Sequence, residues 1–227
     1  MLRNERQKEL LEELFLAGAV LIGEQVRARC GLNSPIYFNL REPLHSRPDL
    51  LWKVGLEFAF AICELAGRNA PPQCVVGVPD TATPLAIATA LYAFQHNLQP
   101  NISSGLLRKE TGSYRQLPVA NQMRWVGPKD SLCEFNLIDD VVASGLTKRA
   151  ASAAMCQEGI QPRRIIVLFD RQQGDGLRQE GYELHGIFTA ADAADYYLDR
   201  GLITASDHSR ITDFLSTRRF DAAASVK

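Results

Sequence analysis

Two adjacent carboxylates, Asp139 and Asp140, follow an apolar run and lead into Val141, Val142, Ala143, Ser144, Gly145, Leu146 and Thr147. The run "SLCEFNLI" (131–138) has the composition of a buried strand, and the residues from Thr147 to Gly159 read as a helix. Small residues let backbone N–H groups approach a phosphate closely, and a helix N-terminus adds partial positive charge. Ser144 and Thr147 add hydroxyl donors. The loop therefore suits a phosphate, whereas two carboxylates repel one. A single ligand satisfies both if it also carries sugar hydroxyls, from which carboxylates accept, with a Mg²⁺ ion nearby. Taken alone, Asp140 and Ser144 read more readily as a turn residue and a helix cap than as a ligand site.

The elements that must position these groups alternate along the chain. "CVVGVP" (74–79) is a short buried strand followed by the apolar helix 83–95. A weaker strand covers 102–107, and 163–170 and 182–188 are the last strands. Helices are expected at 5–24, 48–67, 190–200 and 205–217, and "SPIYFNLR" (34–41) reads as extended. Alternation of this kind implies an α/β fold with a mostly parallel central sheet flanked by helices. In such sheets ligands bind beyond the carboxyl ends of the strands, where Asp139 and Asp140 stand. The stretch 108–130 has no periodicity, and a loop of that length inside a compact domain is usually functional or disordered.

At 227 residues, with 46% hydrophobic and 22% charged residues, the chain is expected to form one domain over about 1–220, with a frayed tail at 221–227. A formal net charge of −1 gives no general attraction to nucleic acid or to a membrane surface. No apolar run reaches the roughly 20 residues of a membrane span, and the charged start lacks the apolar core of a signal peptide. The five cysteines (Cys30, Cys63, Cys74, Cys133, Cys156) are scattered without a C-x-x-C pair, which suits a reducing, cytoplasmic setting.

The acid pair and its loop resemble the 5-phosphoribosyl 1-diphosphate signature of type I phosphoribosyltransferases. The resemblance extends to "SPIYFNLR" with "SRPDLL", "VVGVPDTATPLA", "LLRKETGSY", "IDDVVASG" and "VLFDRQQG". These blocks stand in the order and spacing of orotate phosphoribosyltransferases, closest to the domain found in uridine monophosphate synthase. The resemblance implies the type I fold, with a hood built largely from residues 1–45 and a mobile loop at about 108–128. It implies that Asp139 and Asp140 bind the ribose hydroxyls and that 141–147 hold the ribose 5-phosphate. Arg108 and Lys109 are then expected to face the diphosphate, where a forked guanidinium suits phosphate oxygens. Arg29 stands where the family has a basic residue near the phosphates, and Tyr114 takes the family's His or Tyr position in the mobile loop. Tyr37 and Phe38 stand where the orotate ring is packed, and Arg171 matches the arginine that contacts orotate. By the same resemblance, Mg²⁺ is carried mainly by the diphosphate, and the protein is a homodimer with shared sites.

The sequence departs from this family at three places. Gly112 replaces a loop lysine regarded as the main catalytic side chain, and Arg115 replaces a glycine. Asp80 stands where the family usually has Tyr, and Leu146 where it has a small residue. A carboxylate beside a diphosphate repels it unless Mg²⁺ or an arginine intervenes. The expected activity is conversion of orotate and 5-phosphoribosyl 1-diphosphate to orotidine 5′-monophosphate. The alternative is a catalytically impaired relative that binds nucleotide for regulation or as a partner subunit.

Overall fold

The computed structural model describes residues 4–27, 33–109, 123–126, 132–173 and 176–217. Among them a six-stranded sheet has the order β5-β4-β3-β6-β7-β8. Its members are β3 (Gln73–Gly77), β4 (Ile102–Lys109), β5 (Met123–Val126), β6 (Glu134–Val142), β7 (Pro162–Asp170) and β8 (Glu183–Thr189). β4, β3, β6, β7 and β8 run parallel, and only β5 runs antiparallel, against β4. A separate antiparallel pair joins β1 (Val20–Arg27) to β2 (Asn33–Phe38).

Side chains of the central strands divide between two cores because successive residues point to opposite faces. Val75, Ile138, Ile166 and Leu168 enter the core shared with α1 (Glu5–Leu16), α3 (Pro48–Ala66), α4 (Ala82–Gln95) and α7 (Ala190–Asp199). Cys74, Val76, Leu137, Ile165 and Val167 enter the other core, with Ala151, Ala154 and Met155 of α5 (Leu146–Gln157) and Leu177 of α6 (Gly176–Gln179). A sheet buried on both faces accounts for the continuous apolar runs in the sequence. α3 and α4 pack closely because α3 has Gly55 at their contact, where a Cβ would come within 2.9 Å of Ala88. α2 (Arg41–Ser46) and α8 (Ala205–Thr217) complete the described elements.

Three expectations are corrected. The helix expected over 5–24 stops at Leu16: Gly18 takes a φ of +74°, and the chain turns into β1. Leu21 and Ile22 fit the helical spacing but belong to a strand paired with Tyr37 and Ile36. The stretch 108–130 is not wholly irregular, since β4 continues to Lys109 and β5 pairs back onto it at Met123–Val126. The strand bearing the acids does not end at residue 138, because parallel pairing with β7 continues to Val142, opposite Asp170. The expected tail at 221–227 and most of the expected loop lie outside the described residues.

Candidate active site

Parallel pairing brings the carboxyl ends of β4, β3, β6 and β7 to one edge of the sheet. Gly77 of β3 is in register with Leu106 of β4 on one side and Ile138 of β6 on the other. Arg108 and Asp140, each two residues further on, therefore lie level across β3, about 10 Å apart at two strand spacings. Arg108 is exposed, and Lys109 ends its strand.

Asp139 is buried at 5% exposure, and Asp140 is half-buried. The strand backbone holds both: Asp139 Oδ1 accepts from Asp140 N at 2.9 Å, and Asp140 Oδ1 accepts from Val141 N at 2.7 Å. Burial, and then the neighbouring charge of Asp139, push the Asp140 carboxyl from its ordinary 3.8 up to about 7. Lys148 of α5 reaches back to Asp139 Oδ2 at 2.5 Å.

Beyond the acids, Val142 is buried, Ala143 and Ser144 are half-buried, and Gly145 is buried in the left-handed region at φ +78°. α5 starts at Leu146, and no side chain caps it, so its first-turn N–H groups keep their capacity to bind an anion. Leu146 is 46% exposed, so its bulk is directed outward, and Thr147 is exposed beside it. Arg149 clamps the loop from behind: Nη1 donates to Ser144 O at 2.7 Å, and Nε bonds both carboxylate oxygens of Glu180.

Arg171 follows β7 directly, and its N–H donates to Val142 O at 3.1 Å, tying it to the loop strand. Its side chain is buried at 7% exposure, donates from Nη2 to Ser34 Oγ at 3.1 Å and lies over the ring of Phe214 at 5.4 Å. Ser34, Ile36 and Phe38 are buried on one face of β2, while Tyr37 is half-buried on the other. The structure therefore brings Phe38 to the face that meets Arg171, with its ring 4.4 Å from that of Phe169, and separates Tyr37 from it. Arg29 and Tyr114 lie outside the described residues, as do Gly112 and Arg115.

Asp80 sits on the loop after β3, past a cis peptide bond between Pro79 and Asp80. No side chain caps the following helix: α4 starts at Ala82, and Asp80 meets Thr83 through its backbone carbonyl. Its carboxylate instead stands 3.9 Å from Arg41 Nη2, and Arg41 Nε donates to Thr81 Oγ1. Arg41, Glu42, His45, Ser46 and Asp80 line an open cavity of about 490 Å³.

Sequence reasoning missed Lys148, Arg149 and Arg41. For the first two a signal existed: α5 opens without an acidic residue and with two cations, the reverse of what a helix dipole favours. Arg41 carried no comparable signal, since its partner is 39 positions away in a different element.

A sheet edge carrying an acid pair, a small-residue loop at a helix start and a separate strand pair is the architecture of the type I phosphoribosyltransferases. Uridine monophosphate synthase of Leishmania donovani shares this fold, with a TM-score of 0.70 over 92% of this chain and 42% of its own, at 24% identity. The orotate phosphoribosyltransferase of Chlamydia felis is 31% identical over 192 residues, covering 82% of this chain and 84% of that protein. Uridine 5′-monophosphate synthase of Bos taurus is 32% identical over 197 residues, 86% of this chain. The chain spans 38% of that bovine protein's length. No protein-family model matches the chain. The chain belongs to the orotate phosphoribosyltransferase family.

Proposed function

We propose that the chain transfers a phosphoribosyl group from 5-phosphoribosyl 1-diphosphate to orotate, giving orotidine 5′-monophosphate and diphosphate in pyrimidine biosynthesis. The observation that carries this reading is Arg171, whose backbone is bonded to the phosphate-loop strand and whose side chain is bonded to β2. One residue thereby links the half suited to the ribose phosphate with the half expected to hold the base.

In this reading the N–H groups of 143–147 take the 5-phosphate, with Ser144 and Thr147 as hydroxyl donors. Asp140 accepts from the ribose hydroxyls, backed by Asp139, whose oxygens are bonded to Asp140 N and Lys148 Nζ, and Arg171 pairs with the orotate carboxylate. The reaction breaks the bond from ribose C1 to the diphosphate oxygen and forms one to a ring nitrogen of orotate, whose N–H proton is released to the departing diphosphate. Negative charge grows on the departing diphosphate, and cations placed there stabilise the transition state more than the ground state. Arg108 and Lys109 are the residues for that task, and Arg41 offsets the charge of Asp80 on the adjoining loop. Among the described residues no group of three His, Cys, Asp or Glu side chains could hold a metal ion. By the family resemblance, Mg²⁺ would be held mainly by the substrate's diphosphate, where it would neutralise charge on the phosphate oxygens.

A homodimer with shared sites belongs to the same reading. Ile87, Leu91 and Phe94 recur on one face of α4 at 49%, 55% and 82% exposure, an apolar stripe of the kind that a second subunit covers. A cytoplasmic setting is supported by the reduced thiols of Cys63, Cys74 and Cys156. Among the described residues no helix is long and apolar enough to cross a membrane.

Calorimetric titration with orotidine 5′-monophosphate and uridine 5′-monophosphate tests the assignment. They differ in the carboxylate assigned to Arg171. Preference for the orotidine nucleotide by about tenfold or more is expected for a charge-assisted pair. Equal affinities contradict it.

A further inference from the structure

Lys148 is buried at 5% exposure in the first turn of α5, where a helix dipole disfavours a cation. Removing a lysine from water costs several kcal/mol unless partners replace the lost hydration. Three partners do so. Nζ pairs with Asp139 Oδ2 at 2.5 Å, donates to the carbonyl of Val141 and lies 3.4 Å from Thr147 Oγ1. Lys148 thus joins the first acid, the end of the acid-bearing strand and the residue at the mouth of the phosphate loop.

Two adjacent carboxylates beside a phosphate loop are electrostatically contradictory in a half-buried site, where charges are screened far less than in water. Asp139 shares the face of β6 that bears Leu137, turned toward α5, and it meets Lys148 there. Asp140 is half-buried next to it, and its carboxyl feels the charges of both Asp139 and Lys148.

We propose that Lys148 is a positioning residue that cancels the charge of Asp139, so that the acid pair meets a phosphate-bearing sugar with one negative charge fewer. Asp139 then orients the strand end through its bond from Asp140 N, and Asp140 is the acid left to accept from sugar hydroxyls. This inference rests on the phosphoribosyl reading of the site, but it concerns the sugar phosphate alone and not the base.

The test is calorimetric binding of ribose 5-phosphate in metal-free buffer by the wild type, Lys148→Met and the neutral pair Asp139→Asn/Lys148→Met. Lys148→Met should bind about tenfold or more weakly, because it exposes the ligand to an uncompensated carboxylate. The neutral pair, with the wild-type net charge restored, should recover to within about threefold. A residue that merely supports the fold would not be rescued by a second neutralisation next to it. Should Lys148→Met fail to fold, the neutral pair alone decides, since the proposal requires it to bind like the wild type. Unchanged affinity in Lys148→Met, or a neutral pair as weak as the single variant, overturns the proposal. A wild type that binds ribose 5-phosphate but does not favour orotidine 5′-monophosphate overturns the orotate reading and leaves the Lys148 comparison to decide this one. A wild type that binds neither ligand overturns both.

Discussion

The guanidinium of Arg171 donates to the hydroxyl of Ser34 across 137 positions of sequence, at 3.1 Å in a buried setting. Ser34 Oγ in turn donates to Ile36 O at 2.6 Å, so the hydroxyl is fixed within its own strand before it receives the arginine. Beneath Arg171 lies the ring of Phe214, whose carbonyl accepts from Gln173 Nε2 at 3.4 Å. β2 and α8 together set the direction of the one buried arginine assigned to the base.

Ser34→Ala should therefore raise the KM for orotate by about 2- to 10-fold, the net worth of one hydrogen bond. The KM for 5-phosphoribosyl 1-diphosphate should stay within about twofold, since its groups lie at the other strand ends. Steady-state kinetics with each substrate varied in turn make the comparison. Equal increases in both constants would show general loosening of the site instead.

Asp140 makes stability depend on pH in a defined direction. Its carboxyl is raised in the fold from 3.8 to about 7 by burial and by Asp139. The folded protein therefore binds this proton more tightly than the unfolded chain. The resulting stabilisation is fully present below the unfolded value and is lost as pH rises through about 7. Asp140→Asn lacks this dependence, so its urea midpoint should gain on that of the wild type between about pH 5 and about pH 8. Parallel curves would rule out the raised carboxyl.

At Gly145 the left-handed backbone and the packing agree. With φ at +78°, an added Cβ would lie 2.8 Å from Leu177 Cδ1 and 3.3 Å from Arg149 Nη1. Gly145→Ala should lose about 1–3 kcal/mol of stability, from the left-handed backbone and displaced neighbours. It should also weaken ribose 5-phosphate binding. Thermal melts and calorimetry on one preparation read both effects.

Arg41 answers the expected repulsion between Asp80 and a diphosphate, although both side chains are substantially exposed. Asp80→Asn should lower the KM for 5-phosphoribosyl 1-diphosphate by no more than about fivefold, because exposed charge pairs are worth about 0–1 kcal/mol. The effect should shrink as salt is raised. A higher KM in the variant would mean that the carboxylate assists binding.

The central sheet was legible because its strands are buried on both faces and are written as apolar runs between Gly, Pro and helical stretches. The acid pair with its small-residue loop was legible because spacing within one segment specifies it. The β1 strand was not. Leu21 and Ile22 satisfy a helical period, and only pairing with a distant strand fixes them as extended. β5 was lost for the same reason, as a four-residue strand defined by its partner β4. Lys148 escaped because a lysine in a helix reads as a solvated charge. Only the fold shows the carboxylate against which it is buried. The opposite orientations of Tyr37 and Phe38 follow from strand alternation, which was available in the sequence once residues 34–38 were read as extended.

Transfer to orotate is tested by diphosphate release from 5-phosphoribosyl 1-diphosphate with Mg²⁺, with and without orotate, on the wild type and Gly112→Lys. Release by the wild type is expected to depend on orotate, with Arg108 and Lys109 as its cations. An increase of about tenfold or more is expected in Gly112→Lys, which restores the lysine the family has at that sequence position. Orotate-independent release, or none from either protein while orotidine 5′-monophosphate still binds, would contradict transfer to orotate.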